Sequence, residues 1–90
     1  MTLRLDDFAA GTVYTVSAGA QALPLALDKA QALSDSGREG GAFRLEFLGP
    51  AEPVLAQATY PFRSGDTAHD IFIVPVGREA GGIRYEAVFY

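Results

Sequence analysis

The residues of this 90-residue chain that could perform acid–base or metal chemistry are few and lie close together. Its single histidine, His69, lies in the segment Asp66-Thr67-Ala68-His69-Asp70, and the chain has no cysteine. Carboxylates flanking an imidazole could bind a divalent ion. However, zinc sites generally need three or four ligands, most of them Cys or His. The segment is more typical of a polar turn before a strand, so we predict no metal, no cofactor and no metal-dependent catalysis.

Nucleophilic and paired-carboxylate chemistry also has little support. The four serines that could join His69 in a catalytic triad are Ser17, Ser34, Ser36 and Ser64. None lies in a Gly-x-Ser-x-Gly elbow. Glu46 and Glu86 alternate with apolar residues, which indicates the solvated face of a sheet rather than a glycosidase pair. We therefore predict no catalytic residues and a protein that is not an enzyme.

Size and charge narrow the class of protein further. With 49% hydrophobic and 20% charged residues, the chain is typical of one globular domain spanning residues 1–90. Seven basic against eleven acidic residues argue against a nucleic-acid partner. No apolar run reaches the roughly 18–20 residues of a membrane span, and no basic–apolar leader is present. We therefore expect no membrane partner and cytoplasmic synthesis without a signal peptide, with incorporation into an exported or virion-like particle left open.

Turn residues divide the chain into short segments with apolar alternation. Residues 43–47 show it most clearly, with Phe and Leu at every second position. The pattern predicts a mainly β fold, a small antiparallel sandwich or barrel of about six strands. A short helical turn over residues 3–8, with Thr2 as a candidate N-cap, precedes the strands. The predicted strands span residues 12–17, 23–30, 43–47, 58–63, 71–76 and 83–90.

The sequence pattern leaves some strand boundaries undecided. Residues 29–33 contain good helix formers, so strand and helix both remain possible there. Pro61 cannot donate a backbone hydrogen bond, which places it at an edge or a bulge of the strand over 58–63. Polar, glycine-rich loops are predicted over 34–41 and 77–82.

Each of these two loops leads into a strand that contains an Arg-x-Glu sequence. If the two strands pair antiparallel with Arg44 opposite Glu86 and Glu46 opposite Arg84, two cross-strand ion pairs form. Each such pair contributes a few tenths of a kcal/mol.

The last two predicted strands are apolar on both faces, which is unusual for a small sheet with one solvated side. Ile71 and Ile73 occupy one face of their strand. The second faces carry Phe72, Val74, Val76, Val88 and Tyr90. Burying one such side chain contributes roughly 1.5–3 kcal/mol. Either both faces are covered within the domain, or these five residues form an interface with another chain; we favour the interface and an oligomer.

The second half of the chain resembles a family of short bacterial domains of unknown function. The resemblance rests on Phe47-Leu48-Gly49-Pro50, Gln57-Ala58-Thr59-Tyr60, Phe72-Ile73-Val74-Pro75-Val76-Gly77 and Tyr85-Glu86-Ala87-Val88-Phe89. Ala56 and Ala58 depart from the Pro and Gly that are typical of such domains. The resemblance implies an association with phage-tail-collar-like and tail-fibre-like proteins, and it carries no catalytic residues.

Two functions from different classes are consistent with these observations. The first is a non-catalytic structural or assembly protein that oligomerises or docks onto a larger particle protein, such as a component of a phage-tail-like particle or filament. The alternative is a monomeric barrel that binds a small ligand or glycan in a pocket lined by Tyr14, Tyr60 and Tyr85.

Overall fold

The chain forms a closed barrel of six antiparallel strands in a computed structural model, which describes residues 3–33, 37 and 41–90. The order around the barrel is β1-β2-β3-β6-β5-β4, with β4 pairing back onto β1. The mainly β prediction with about six strands is confirmed, and the barrel alternative is the one observed. The strands are β1 (Val13–Ala18), β2 (Gln21–Ala32), β3 (Phe43–Gly49), β4 (Ala58–Ser64), β5 (Thr67–Glu79) and β6 (Gly82–Phe89).

Strand β5 is longer at both ends than the sequence indicates. Its first four residues pair with β4 as far as Ser64↔Thr67, because backbone pairing does not require apolar side chains. Its last residues pair with β6 as far as Glu79↔Gly82, so the loop predicted over 77–82 is reduced to a turn at Ala80 and Gly81. The prediction of a polar turn over 66–70 is wrong beyond Asp66.

Strand β2 also extends further than predicted. It continues to Ala32, where it pairs with Phe43 at the start of β3. The helical alternative for residues 29–33 is therefore wrong, because sheet pairing outweighs the modest helix propensity of Ala, Gln and Lys. Pro61 lies in β4 where that strand pairs with β5 but not with β1, which suits a residue without a backbone donor.

The N-terminal helical turn is a 3-10 turn over Leu5–Asp7. The backbone N–H of Arg4 donates to Oδ2 of Asp7 at 2.8 Å, which holds the start of the turn. Thr2, the predicted N-cap, lies outside the described residues, as do Ser34, Ser36 and most of the predicted loop over 34–41. Within the described ranges, no helix is long and apolar enough to cross a membrane.

Alternating side chains from all six strands fill the barrel interior, as the period of a strand requires. Phe8 and Leu55, which lie outside the strands, are also buried and belong to the same core. The buried residues contributed by the strands are Tyr14, Val16, Leu25, Leu27, Phe43, Leu45, Phe47, Phe62, Ile71, Ile73, Ile83, Tyr85 and Ala87.

The segment after the N-terminal turn covers one end of the barrel. The ring centroid of Phe8 lies 5.9 Å from that of Phe43, 5.4 Å from that of His69 and 6.1 Å from that of Phe89. These contacts join the start of β3, the start of β5 and the end of β6. Phe8 therefore seals this end with aromatic packing.

The loop after β3 covers the other end. The backbone N–H of Leu55 donates to the Tyr85 hydroxyl at 2.8 Å, and the Leu55 side chain is buried. Gly82 begins β6 beside the end of β3 with φ of 129°, and a Cβ atom there would lie 1.9 Å from the carbonyl oxygen of Gly49. Only glycine fits this position, because any side chain would collide with backbone.

Two β-bulges interrupt the pairing of the long strands. One lies between Leu27 and Lys29 in β2, and the other between Pro75 and Gly77 in β5. A bulge increases twist and bends the strand, which helps a small sheet close into a barrel. The extra residues are Asp28 and Val76, and both are exposed.

Candidate docking surface

Charged side chains occupy the outside of the barrel across β2, β3, β6 and the last residue of β5. We call this surface the ionic face, and it consists of Asp28, Arg44, Glu46, Glu79, Arg84 and Glu86. Arg84 lies at its centre. Its Nη1 is 3.0 Å from Oδ2 of Asp28 and 3.0 Å from Oε1 of Glu46. Its Nε and Nη2 donate to the two carboxylate oxygens of Glu79. One guanidinium thus pairs with three carboxylates.

Arg44 forms the second part of the ionic face. Its Nη2 donates to Oε1 of Gln31 at 2.7 Å. Its Nε lies 3.6 Å from Oε2 of Glu46, and its Nη1 lies 3.7 Å from Oε2 of Glu86. Both arginines therefore bind carboxylates of the same protomer.

The predicted register between β3 and β6 is wrong by two residues. Arg44 lies opposite Val88, and Glu46 lies opposite Glu86. The predicted ion pairs Arg44–Glu86 and Arg84–Glu46 nevertheless form, as diagonal pairs. A shift of two residues keeps every side chain on its face, and long side chains reach diagonal neighbours.

The electrostatics of the ionic face follow from these contacts. The hydrogen bond from Arg84 lowers the pKa of Glu79 below its ordinary value, against a smaller opposing effect of desolvation. Hydrogen bonds to Glu79 and Asp28 raise the pKa of Arg84. The charges of this face thus stabilise one another within the protomer.

An apolar surface lies beside the ionic face on the outside of β5 and the end of β6. We call it the apolar strip, and it consists of the five residues predicted as an interface. Val74 is half-buried. The other four expose large fractions of their side chains: Phe72 51%, Val76 52%, Val88 52% and Tyr90 72%. The structure thus places all five predicted residues outside the core.

Alternation along β5 explains the strip. Ile71 and Ile73 are fully buried, so the residues between and after them must point outwards. Val74 lies opposite Glu86 on β6, and the same register, continued by two residues, sets Phe72 level with Val88. The exposed side chains of β5 and β6 thus lie on the same outer side of the barrel, where apolar patches commonly mark interaction surfaces.

One charged residue precedes the β5 part of the strip and another follows it, but only the first lies on the outer face. Asp70, two residues before Phe72, is exposed, and within the described ranges it forms no ion pair. Arg78 lies beyond the bulge at Val76 and opposite the buried Ile83, so its register places it away from the outer face, and its Nη1 donates to the carbonyl oxygen of Ala51 at 3.3 Å. It has no carboxylate partner in the described part of the chain. Both residues lie in segments that the sequence predicts as turns.

The candidate metal cluster is divided between a turn and a strand. Asp66 lies in the β4–β5 turn, whereas His69 packs against Phe8 and Asp70 lies on the outside of β5. Successive strand residues point to opposite faces, which separates His69 from Asp70. A cavity of about 550 Å³ lies at this place, lined by Leu3 and residues 66–70. No group of three or more His, Cys, Asp or Glu among the described residues could hold a metal ion.

The three tyrosines of the ligand-binding alternative do not line this cavity. Tyr14 packs edge-on against Phe47 with ring centroids 6.0 Å apart, and burial raises its pKa. Tyr85 is buried and accepts the hydrogen bond from Leu55. The Tyr60 hydroxyl donates to the carbonyl oxygen of Ala56 at 2.7 Å. These rings fill and border the core rather than enclose a pocket.

Comparison with known proteins identifies one matching family. The family model described as "Domain of unknown function (DUF6916)" matches residues 3–89, which is nearly the whole chain. No curated protein and no solved structure matches the chain.

Proposed function

The chain belongs to the DUF6916 family of domains, and we propose that it is a non-catalytic assembly module that docks through the apolar strip onto another folded protein surface. The observation that carries this proposal is the exposure of Phe72, Val76, Val88 and Tyr90 on one side of the barrel. Leaving such side chains in water forgoes stabilisation that a partner surface would supply.

The contrast between the two outer surfaces supports docking at the strip rather than at the ionic face. Arg84 and Arg44 already bind carboxylates within the protomer. A partner at that face would have to replace contacts that are already made. At the strip, docking removes apolar surface from water without breaking any ion pair.

The partner that we propose is a component of a phage-tail-like particle or filament. Support for this finer statement comes from the similarity of the segments around Pro50, Tyr60, Pro75 and Phe89 to small bacterial domains associated with tail-collar-like and tail-fibre-like proteins. Symmetric assemblies repeat one surface contact between many copies, and a barrel with one apolar outer side suits that role.

Site-specific photo-crosslinking in the native host tests the proposal. A photoreactive phenylalanine analogue replaces Phe72 in one variant and Val13 in a matched control. Val13 is 57% exposed on β1 and does not belong to the strip. We expect a discrete crosslinked species from position 72, absent at position 13, in which mass spectrometry identifies a structural protein of a multi-subunit particle.

Two results would contradict the proposal. Equal crosslinking at positions 72 and 13 would mean that the strip is no more a docking surface than the rest of the barrel. Crosslinking of position 72 only to metabolic enzymes would exclude the particle role.

A further inference from the structure

We propose that three prolines, Pro24, Pro61 and Pro75, close the unpaired strand edges of the barrel to backbone pairing with another chain. The inference concerns the edges of the strands rather than the apolar strip, and it stands independently of the proposed function. It depends on the direction in which each proline nitrogen points.

Three strands run past the end of a neighbouring strand, so that part of one edge is unpaired. They are β2 beside β3, β4 beside β1, and β5 beside β4. The last pairs before these unpaired edges are Ala26↔Leu48, Val16↔Phe62 and Ala58↔Ile73. Within the described ranges, no backbone hydrogen bond from a loop reaches the unpaired edges. Such edges are templates for pairing with the strand of another molecule.

The first unpaired edge belongs to β2. A two-residue turn joins β1 to β2, and hydrogen-bonded pairs alternate with non-hydrogen-bonded pairs along such a hairpin. The backbone N–H of Leu27 donates to the carbonyl oxygen of Thr12 at 2.8 Å, so the odd-numbered residues of β2 up to Leu27 are those bonded to β1. Pro24 therefore directs its nitrogen to the other side, beyond the last pair with β3. Pro50, which would face it if that ladder continued, has no N–H group either.

The second unpaired edge belongs to β4. A two-residue turn joins β4 to β5 at Ser64↔Thr67, so that residues bonded to β5 recur at every second position from Ser64. Pro61 is three residues from Ser64 and directs its nitrogen away from β5, towards β1. The ladder with β1 has already ended at Val16↔Phe62.

The third unpaired edge belongs to β5, beyond the start of β4. By the same alternation, the backbone of Ile73 is bonded to β4 in the pair Ala58↔Ile73. Pro75, two residues further, directs its nitrogen to the same side, where β4 is absent. Its opposite side faces β6 in the pair Pro75↔Tyr85, and the bulge at Val76 follows directly. Prolines and bulges both prevent a strand edge from pairing.

The placement of the prolines is more specific than tolerance requires. All five prolines of the chain lie in the described ranges, and three of them lie in strands. Tolerance would allow a strand proline at any position without a ladder hydrogen bond. Instead, each unpaired edge has one proline, at the first position where an N–H group would otherwise face outwards. The barrel therefore contacts other proteins through its side chains and not by adding a strand.

Restoring the N–H groups tests the proposal. Threonine, a good strand former, replaces the prolines singly in P24T, P61T and P75T and together in the triple variant. Sedimentation velocity and thioflavin T fluorescence follow the loss of monomer at about 0.5 mM over several days. We expect the triple variant to lose monomer at least about tenfold faster than the parent chain, and each single variant to lie between the two.

Two control variants separate edge pairing from other causes of association. Thr59→Val adds an exposed apolar side chain to β4 without adding a backbone donor. Ile73→Val, at a fully buried position, lowers stability without changing any donor, as the loss of prolines also does through the unfolded chain. Both controls should lose monomer within about twofold of the parent rate.

Amide hydrogen exchange of the associated species identifies the surface that pairs. We expect the new amides at positions 24, 61 and 75 to be protected in the associated species and to exchange readily in the monomer. Loss of monomer no faster than in Ile73→Val, in the triple variant and in every single variant that folds, would overturn the proposal. Association that leaves all three new amides unprotected would overturn it as well.

Discussion

The outer side of strand β6 changes from charged to apolar within a few residues. Arg84 and Glu86 belong to the ionic face, whereas Val88, two residues further along the same side, belongs to the apolar strip. The charged side chains find partners on neighbouring strands of the same barrel. The apolar side chains cannot do so, because a small barrel has only one interior and it is already filled. Outer charges can be satisfied within one protomer, whereas outer apolar side chains need a second surface.

The two bulges show the same difference between a paired outer charge, on β2, and an exposed outer apolar side chain, on β5. The extra residue of β2, Asp28, completes the set of carboxylates around Arg84 at 3.0 Å. The extra residue of β5, Val76, is 52% exposed and lengthens the apolar strip. Both bulges bend their strands for closure, but Asp28 forms an ion pair with Arg84 whereas about half of Val76 lies in solvent.

The largest expected change in the free energy of unfolding comes from truncating a side chain on the inner side of β5, compared with one on its outer side. Ile71→Ala should lower the free energy of unfolding by about 3 kcal/mol, because Ile71 is fully buried and its truncation leaves a cavity. Phe72→Ala, one residue further, should lower it by less than about 1 kcal/mol, because half of this side chain is already in water. Urea unfolding at micromolar concentration measures both. Equal losses would mean that Phe72 belongs to the core of the protomer.

The next largest loss of stability should come from removing Arg84, at the centre of the ionic face. Arg84→Met should lower the free energy of unfolding by about 1 kcal/mol, because it leaves the carboxylates of Asp28 and Glu46 without their shared cation on a partly solvated face. Arg63→Met is the matched control, since Arg63 is exposed and has no ion pair in the described ranges, and should change stability by less than about 0.5 kcal/mol. A loss for Arg84→Met no greater than that of the control would show that the network is not stabilising.

Much of the barrel and of the strip could be predicted from the alternation of apolar residues. Once one face of a strand is buried, the alternation fixes which side chains point into the core and which point to the outside. Residues 43–47 show this for β3, and Ile71 to Val76 show it for the strip. The register between β3 and β6 could not be predicted, because a slip of two residues preserves both faces and both ion pairs.

The ends of β5 were harder to predict for a different reason. Asp70 and Arg78 lie in polar or glycine-containing segments that are typical of turns, yet both belong to β5 because pairing with β4 and β6 extends that strand. The bulge at Val76 also depends on the pairing partner and has no distinctive residue pattern. Features that arise from strand pairing are not encoded locally.

A smaller effect distinguishes the two diagonal pairs of the ionic face. Double-mutant cycles should give a coupling of about 0.5–1 kcal/mol for Arg84–Glu46, whose side chains are half-buried and 3.0 Å apart. Arg44–Glu86, which is more exposed at 3.7 Å, should give no more than about 0.3 kcal/mol. Cycles of Glu→Gln and Arg→Met changes in urea unfolding measure both couplings, and the reverse order would contradict this description of the face.

The smallest effect is on the acid dependence of stability, and it should involve only the ionic face. The hydrogen bond from Arg84 lowers the pKa of Glu79 below its ordinary value of 4.5. A carboxylate with a lowered pKa in the folded state contributes stability that is present above pH 4.5 and lost as the pH falls through the folded value. Glu79→Gln should therefore reduce the loss of stability on acidification, whereas Phe72→Ser, which removes no titratable group, should leave the profile parallel to that of the parent chain. Unfolding midpoints in urea between about pH 3 and 6 measure this, and a profile unchanged by Glu79→Gln would show that the contact with Arg84 does not contribute to acid-dependent stability.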